Sequence, residues 1–169
     1  MVDGKLVATL CDVFGDLGGL DSYNQYLLTK HQIERTDKRL VKTARACVPL
    51  EPEHSIQYDF AFAIDPADCD DFDDAFSVRQ TTFGWVVAVH IAAVAPYLYE
   101  KGVDWLPPVL QSVYLEGRKK HMLPSRLSSD ILSLKKDAAR RVLTFSFAVT
   151  KSGNVDFMGC SLGWCRVQA

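Results

Sequence analysis

The sequence predicts a mixed α+β domain, a largely antiparallel sheet flanked by short helices. Three observations predict it. Residues 58–64 (YDFAFAI) and 142–150 (VLTFSFAVT) alternate polar and apolar side chains with the period of a half-buried strand. A nearly continuous apolar run at 85–91 (WVVAVHI) follows a turn signal at Thr82-Phe83-Gly84 and fits a strand buried on both faces. Upstream, two short segments carry apolar residues at helical spacing. A chain of 169 residues, 48% hydrophobic and 24% charged, can bury a core of its own.

Taken in order, residues 5–14 (KLVATLCDVF) read as a short strand, broken by GDLGG. Residues 21–31 read as a helix with Asp21 or Ser22 as its cap, and 36–46 as a second helix with Leu40, Val41 and Ala44 on one side. Pro49 and Pro52 end it. Residues 1–50 thus read as a linker-like strand and helices, and 51–169 as the main domain. The strand at 58–64 runs into an acidic loop, and 75–78 begins the next strand. Residues 96–101 and 110–115 read as short helices around Pro107-Pro108. The strand at 142–150 turns at Lys151-Ser152-Gly153-Asn154 and returns through 155–162 as a hairpin.

No apolar run is long enough to span a bilayer, and the N-terminus shows no signal-peptide pattern, so a cytoplasmic protein without a membrane partner is expected. Five cysteines, an odd number with no Cys-x-x-Cys pair, argue against a disulfide framework and for reduced, mostly buried thiols. The net charge of −2 conceals a segregation. Residues 51–78 hold nine Asp/Glu and no Lys/Arg. Residues 101–141 hold nine Lys/Arg against four Asp/Glu, and 30–45 six against two. Basic segments gathered on one face can bind nucleic acid without a basic pI.

Six aspartates fall within ten residues: Asp65, Asp68, Asp70, Asp71, Asp73 and Asp74. Packed together without a counter-charge they repel one another. A loop of this kind between two apolar strands is either a solvated acidic turn or a site short of a cation. Hard divalent ions with oxygen ligands supply that cation, and Mg²⁺ is typical where phosphates complete the shell. An EF-hand needs Gly and Glu at its sixth and twelfth positions, where counting from Asp65 gives Asp70 and Phe76. A carboxylate pair for sugar chemistry fits less well, because one loop seldom places two groups across a bond. Metal-assisted phosphodiester chemistry suits the cluster best.

Residues 64–75 (IDPADCDDFDDA) resemble the catalytic signature of the RNB domain found in the ribonuclease II, ribonuclease R and exosome-nuclease family, I-D-P followed by D-x-D-D-A. Further pieces follow in the family's order: Val87-Ala88-Val89-His90-Ile91-Ala92, Ser112-Val113-Tyr114-Leu115, Met122-Leu123-Pro124, Leu127-Ser128 and Leu132-Ser133-Leu134. The resemblance implies part of an RNB fold, the N-terminal half of the catalytic domain. It implies an Mg²⁺-dependent exoribonuclease (Mn²⁺ in its place is an alternative) that degrades single-stranded RNA 3′ to 5′ into nucleoside 5′-monophosphates. Asp65, Asp71, Asp73 and Asp74 would be the catalytic carboxylates, with Asp65, Asp71 and Asp74 as metal ligands. Asp68 and Asp70 fall on spacer positions. Tyr114 would stack near the terminal nucleotide. Read from the residues themselves, Arg118, Lys119, Lys120 and His121 after it either track RNA phosphates or form a solvated basic turn. His90 reads as a structural histidine.

Two departures qualify that picture. The family has Asp after H-I-A where this chain has Ala93, which would remove a polar support near the site. The family's arginine contact to the scissile phosphate lies in the other half of the catalytic domain. The expected partners are therefore single-stranded RNA and a protein or further domain that completes the active site. The alternative reading is a catalytically inactive RNA- or protein-binding remnant.

Overall fold

The structure, a computed structural model, describes residues 10–16, 18–33, 37–52, 56–104 and 111–168. Its helices are α1 (Leu20–Lys30), α2 (Lys38–Ala46) and α3 (Val94–Glu100). The strands are β1 (Tyr58–Ala61), β2 (Asp74–Gln80), β3 (Gly84–Ala92), β4 (Val113–Leu115), β5 (Arg118–Lys120), β6 (Ala139–Thr150) and β7 (Val155–Val167). A single π-helical turn spans Leu127–Ile131. The α+β class expected from the sequence is the one observed. Among the described residues no helix is long and apolar enough to cross a membrane.

Five strands form one sheet in the order β1-β7-β6-β3-β2. Among these pairs only β1–β7 is parallel; β2–β3 and β6–β7 are antiparallel hairpins, and β3–β6 is an antiparallel pair joined by a long connection. The two edges then meet. Phe62, just past β1, and Phe76 of β2 exchange both backbone hydrogen bonds at 2.8 Å, so the sheet curls into a nearly closed barrel. The β2–β3 turn depends on Gly84: its φ is +150°, and a Cβ there would strike the Val149 carbonyl oxygen. The curl also corrects one expectation. β3 is not buried on both faces: Gly84, Ala88, His90 and Ala92 face inward, while Trp85 and Ile91 remain exposed. A barrel covers the inner face of its strands by itself, but the outer face only where helices lie.

The hydrophobic core has two parts. One joins Leu40, Ala44 and Cys47 to Tyr97, Leu98, Leu123, Leu127 and Ile131. The other lies at one end of the barrel, around Ala61, Ala75, Leu134, Val142 and Cys165. α2 reaches the first because Leu40, Ala44 and Cys47 fall on one helical stripe, with Lys38, Arg39, Lys42 and Arg45 on the remaining surface. The Asp37 carboxylate caps it, accepting from the Arg39 N–H at 2.7 Å. α2 is therefore part of the core, although it lies in the stretch expected to act as a linker.

Other expectations are corrected. Gly19, not Asp21 or Ser22, precedes α1, and no side chain caps it. Residues 10–14 of the expected first strand form no strand, and 5–9 lie outside the described residues. The expected helix at 110–115 is instead strand β4, paired with β5. Glu116-Gly117 forms its two-residue turn, with Gly117 at φ +65°. Residues 105–110, including Pro107-Pro108, lie outside the described residues. The strand expected at 142–150 starts earlier, at Ala139, so Arg140 and Arg141 belong to β6. Arg140 donates to the Ser133 and Asp130 carbonyls, and Arg141 pairs with Glu100, tying β6 to the π turn and to α3. Cys47 and Cys165 are buried, Cys69 is half-buried, and Cys11 and Cys160 are exposed, so the thiols are not mostly buried.

Candidate active site: an acidic cavity at one end of the barrel

The acidic loop, 63–73, spans the two strands whose meeting closes the barrel. Phe72 pins it. Its N–H donates to Ser133 Oγ at 3.0 Å, and its carbonyl accepts from the Leu134 N–H at 2.9 Å. Its ring packs against the second core cluster. One residue on, the Asp73 carbonyl accepts from the Ala92 N–H at 2.9 Å. In extended chain alternate side chains point to opposite faces, so anchoring Phe72 in the core turns Asp71 and Asp73 together toward the cavity. Pro66 and Cys69 close a tight turn earlier in the loop, Cys69 N–H donating to the Pro66 carbonyl at 2.9 Å.

The loop borders a cavity of about 640 Å³. All six aspartates line it, including Asp68 and Asp70, which sequence alone assigned to spacer positions. Tyr114, Arg118, Lys119 and His121 form the facing wall. Lys120 points elsewhere: it is Val113's partner across the β4–β5 hairpin, whereas Tyr114 pairs with Lys119 on the site face. Tyr114 is 74% exposed, an open aromatic surface. Lys119 Nζ lies 5.0 Å from its ring centroid.

The carboxylates are not equivalent. Asp71 is buried and ion-paired with Lys119, and His121 Nδ1 lies 3.6 Å from its second oxygen. Burial pushes the Asp71 pKa up, but the hydrogen-bonded Lys119 ammonium, with His121 nearby, outweighs it and holds the carboxyl below the usual range. Asp73 keeps an open surface, yet the protein around it removes enough solvation to raise its pKa, and Asp71 adds to the rise. Cys69 Sγ lies 3.7 Å from both Asp65 Oδ1 and Asp71 Oδ1, and burial followed by these carboxylates raises its thiol pKa. The Asp65 Oδ2 atom is buried without a hydrogen-bond partner.

That oxygen is free to accept from a ligand, and an all-oxygen donor set is the kind a hard divalent ion takes. The donors fit such an ion in kind. Among the described residues, however, no three His, Cys, Asp or Glu side chains are drawn together closely enough to hold a metal as they stand. Asp65, Asp71, Asp73 and Asp74 line one cavity together.

His90 belongs to the barrel interior. Its Nε2 lies 3.0 Å from Ser77 Oγ and its Nδ1 2.9 Å from Thr144 Oγ1. Ala93 is the N-cap residue of α3 and does not line the acidic cavity; a carboxylate there would sit where helices take their caps. Cys69 and the Phe72–Ser133 anchor escaped the sequence reading, whereas His121, read there as a neighbour of the phosphates, instead faces Asp71. The anchor had a signal, a lone aromatic between two aspartates.

Fold and site together define a nearly closed, largely antiparallel sheet whose edge-to-edge loop presents carboxylates to an aromatic and basic hairpin. The RNB domain family matches residues 54–169. The chain is 30% identical over 128 residues to ribonuclease R of Aquifex aeolicus, covering 70% of this chain and 18% of that protein. It is 30% identical over 131 residues to exoribonuclease 2 of Yersinia pestis, covering 76% and 20%. A structure of Mycoplasma genitalium RNase R in complex with ribose-methylated single-stranded RNA shares the fold, with a TM-score of 0.69, 21% identity, and coverage of 88% of this chain and 24% of that one. The chain belongs to the RNB domain family. It spans about a fifth of the length of the curated relatives it matches.

Proposed function

We propose that this chain carries the carboxylate side of an exoribonuclease site that hydrolyses single-stranded RNA from its 3′ end to nucleoside 5′-monophosphates. The observation that carries this reading is the cavity itself, with six aspartates on one wall and Tyr114 and Arg118 on the other. Membership of the RNB family and ribonuclease relatives support the substrate class. Asp65, Asp71 and Asp74 would hold Mg²⁺, or Mn²⁺ in its place, and Asp73 would orient the attacking water. When bound, the ion supplies Lewis acidity and neutralises phosphate charge. The exposed Tyr114 ring offers a sequence-tolerant platform for a terminal base. Arg118 would meet the backbone phosphates, with Lys120 further along the hairpin.

One observation favours a second reading. Asp71 is already engaged by Lys119, and no three-ligand set is preformed among the described residues. That arrangement suits a domain that binds RNA without turning it over. A single assay separates the two, using 3′-labelled single-stranded RNA with Mg²⁺ beside an Asp73→Asn control. The enzyme reading expects metal-dependent monophosphate release that drops by about two to four orders of magnitude in the control. Binding without release defeats it and leaves the second.

A further inference from the structure

The cavity contains a cation of its own. Residues 51–78 hold no Lys or Arg, so the loop's counter-charge comes from another element. β5 supplies it: Lys119 hydrogen-bonds Asp71 Oδ1 and forms an ion pair with it. Both side chains are well shielded, keeping 22% and 8% of their exposure. Asp71's other oxygen faces His121 Nδ1 at 3.6 Å, and Cys69 Sγ also lies 3.7 Å from Oδ1. Asp71 therefore has a polar neighbour at each oxygen, whereas Asp65 Oδ2, buried in the same loop, has none. The hairpin that carries Lys119 is fixed at its tip, where Asn24 Nδ2 donates to the Glu116 carbonyl at 3.1 Å. The lysine thus reaches Asp71 from a held position.

We propose that Lys119 is a tethered counter-ion that a divalent cation must displace from Asp71 in order to bind. This rests on the reading of the aspartates as metal donors given above. Two cations at contact distance from one carboxylate repel each other, and the repulsion grows where water is partly excluded. Metal loading and the Lys119–Asp71 pair therefore exclude one another. The pair stabilises the metal-free loop and weakens its affinity for the ion. The displaced ammonium stays tethered on β5 at the cavity wall.

The test measures Mn²⁺ binding by electron paramagnetic resonance, and metal-free melting temperature, for the wild type, Lys119→Gln and Arg118→Gln. Arg118 lines the same cavity and makes no ion pair with Asp71. Displacement expects Lys119→Gln to bind Mn²⁺ about three- to tenfold tighter and to melt lower without metal, with a smaller gain in Arg118→Gln. Equal gains in both variants would reduce the effect to the general field of the cavity and overturn the proposal. Unchanged or weaker binding in Lys119→Gln overturns it too, while leaving the metal reading intact. If neither the wild type nor Lys119→Gln binds Mn²⁺, the metal reading fails and takes the proposal with it. A wild-type measurement covers the case in which the variant does not fold: acylation of Lys119 by an amine-reactive reagent, mapped by mass spectrometry, should accelerate when Mg²⁺ is added. An unchanged or slower rate overturns the displacement.

Discussion

His90 shows how one buried residue ties the fold to pH. It is fully buried in the barrel, its two ring nitrogens meet the Ser77 and Thr144 hydroxyls, and its ring lies 4.5 Å from that of Tyr58. Hydroxyls can donate or accept, so either neutral tautomer is satisfied. A second ring proton finds no carboxylate among these contacts, and burial lowers the pKa to about 4. The folded pKa lies below the ordinary value of 6.5. The unfolded chain therefore takes up a proton first as pH falls. The stability present above about pH 6.5 is lost progressively as pH approaches 4. Between pH 7 and pH 5 the loss should be about 2 kcal/mol. Urea unfolding at the two pH values checks this against His90→Asn, which should be less stable at pH 7 but lack that slope. An equal loss in the variant would assign the titration to another group. The sequence placed His90 at a strand end and made it structural, and its partners agree. The unequal aspartates were not legible, because Asp71's partner lies 48 residues downstream.

At the level of elements, the β6–β7 hairpin was read from the sequence and the β4–β5 hairpin was not. β6 and β7 run over 12 and 13 residues, and the alternation of 142–150 within β6, followed by a turn, was enough to mark the hairpin. β4 and β5 have three residues each, too few to show a period, and their signal was only the Glu116-Gly117 turn. α2 was recognised as a helix, but it was assigned to a linker-like segment. Its partners, Tyr97, Leu98, Leu123, Leu127 and Ile131, come from elsewhere in the chain. Tyr97 Oη and Arg126 also donate to the Val48 and Cys47 carbonyls just beyond the helix, at 2.7 and 3.1 Å. A core role and a linker role differ in a measurable way. Leu40→Ala should cost about 2–5 kcal/mol in urea unfolding, the range for truncating a fully buried leucine. A cost below about 0.5 kcal/mol, the range of surface substitutions, would return α2 to a linker.

For the whole molecule, closure of the sheet and construction of the site are one event. β1 leaves the barrel and β2 enters it at the same end, and the Phe62–Phe76 backbone bridge fixes how far apart the ends of the acidic loop stand. The ring contact, with centroids 5.9 Å apart, reinforces the bridge. Nothing local in the sequence marks this closure, because it depends on the edge strands of a curled sheet meeting. The acidic loop was legible by its charge, but its geometry is a property of the fold. Phe62→Pro tests the coupling. Proline removes the Phe62 N–H that donates to the Phe76 carbonyl, while its φ remains compatible with extended chain. The cost should be about 1–3 kcal/mol, from the lost hydrogen bond and a carbonyl left without its donor. Hydrogen exchange should locate it: amides of 63–76 should exchange faster, while the β6–β7 hairpin, paired on its own register and with β3, keeps its protection. Phe62→Leu, which keeps the backbone bridge and loses the ring, should leave exchange in the loop nearer to wild type. If Phe62→Pro exchanges like the wild type across 63–76, the loop is held by Phe72 and its contacts to Ser133 and Leu134 alone, and barrel closure does not set the spacing of the aspartates.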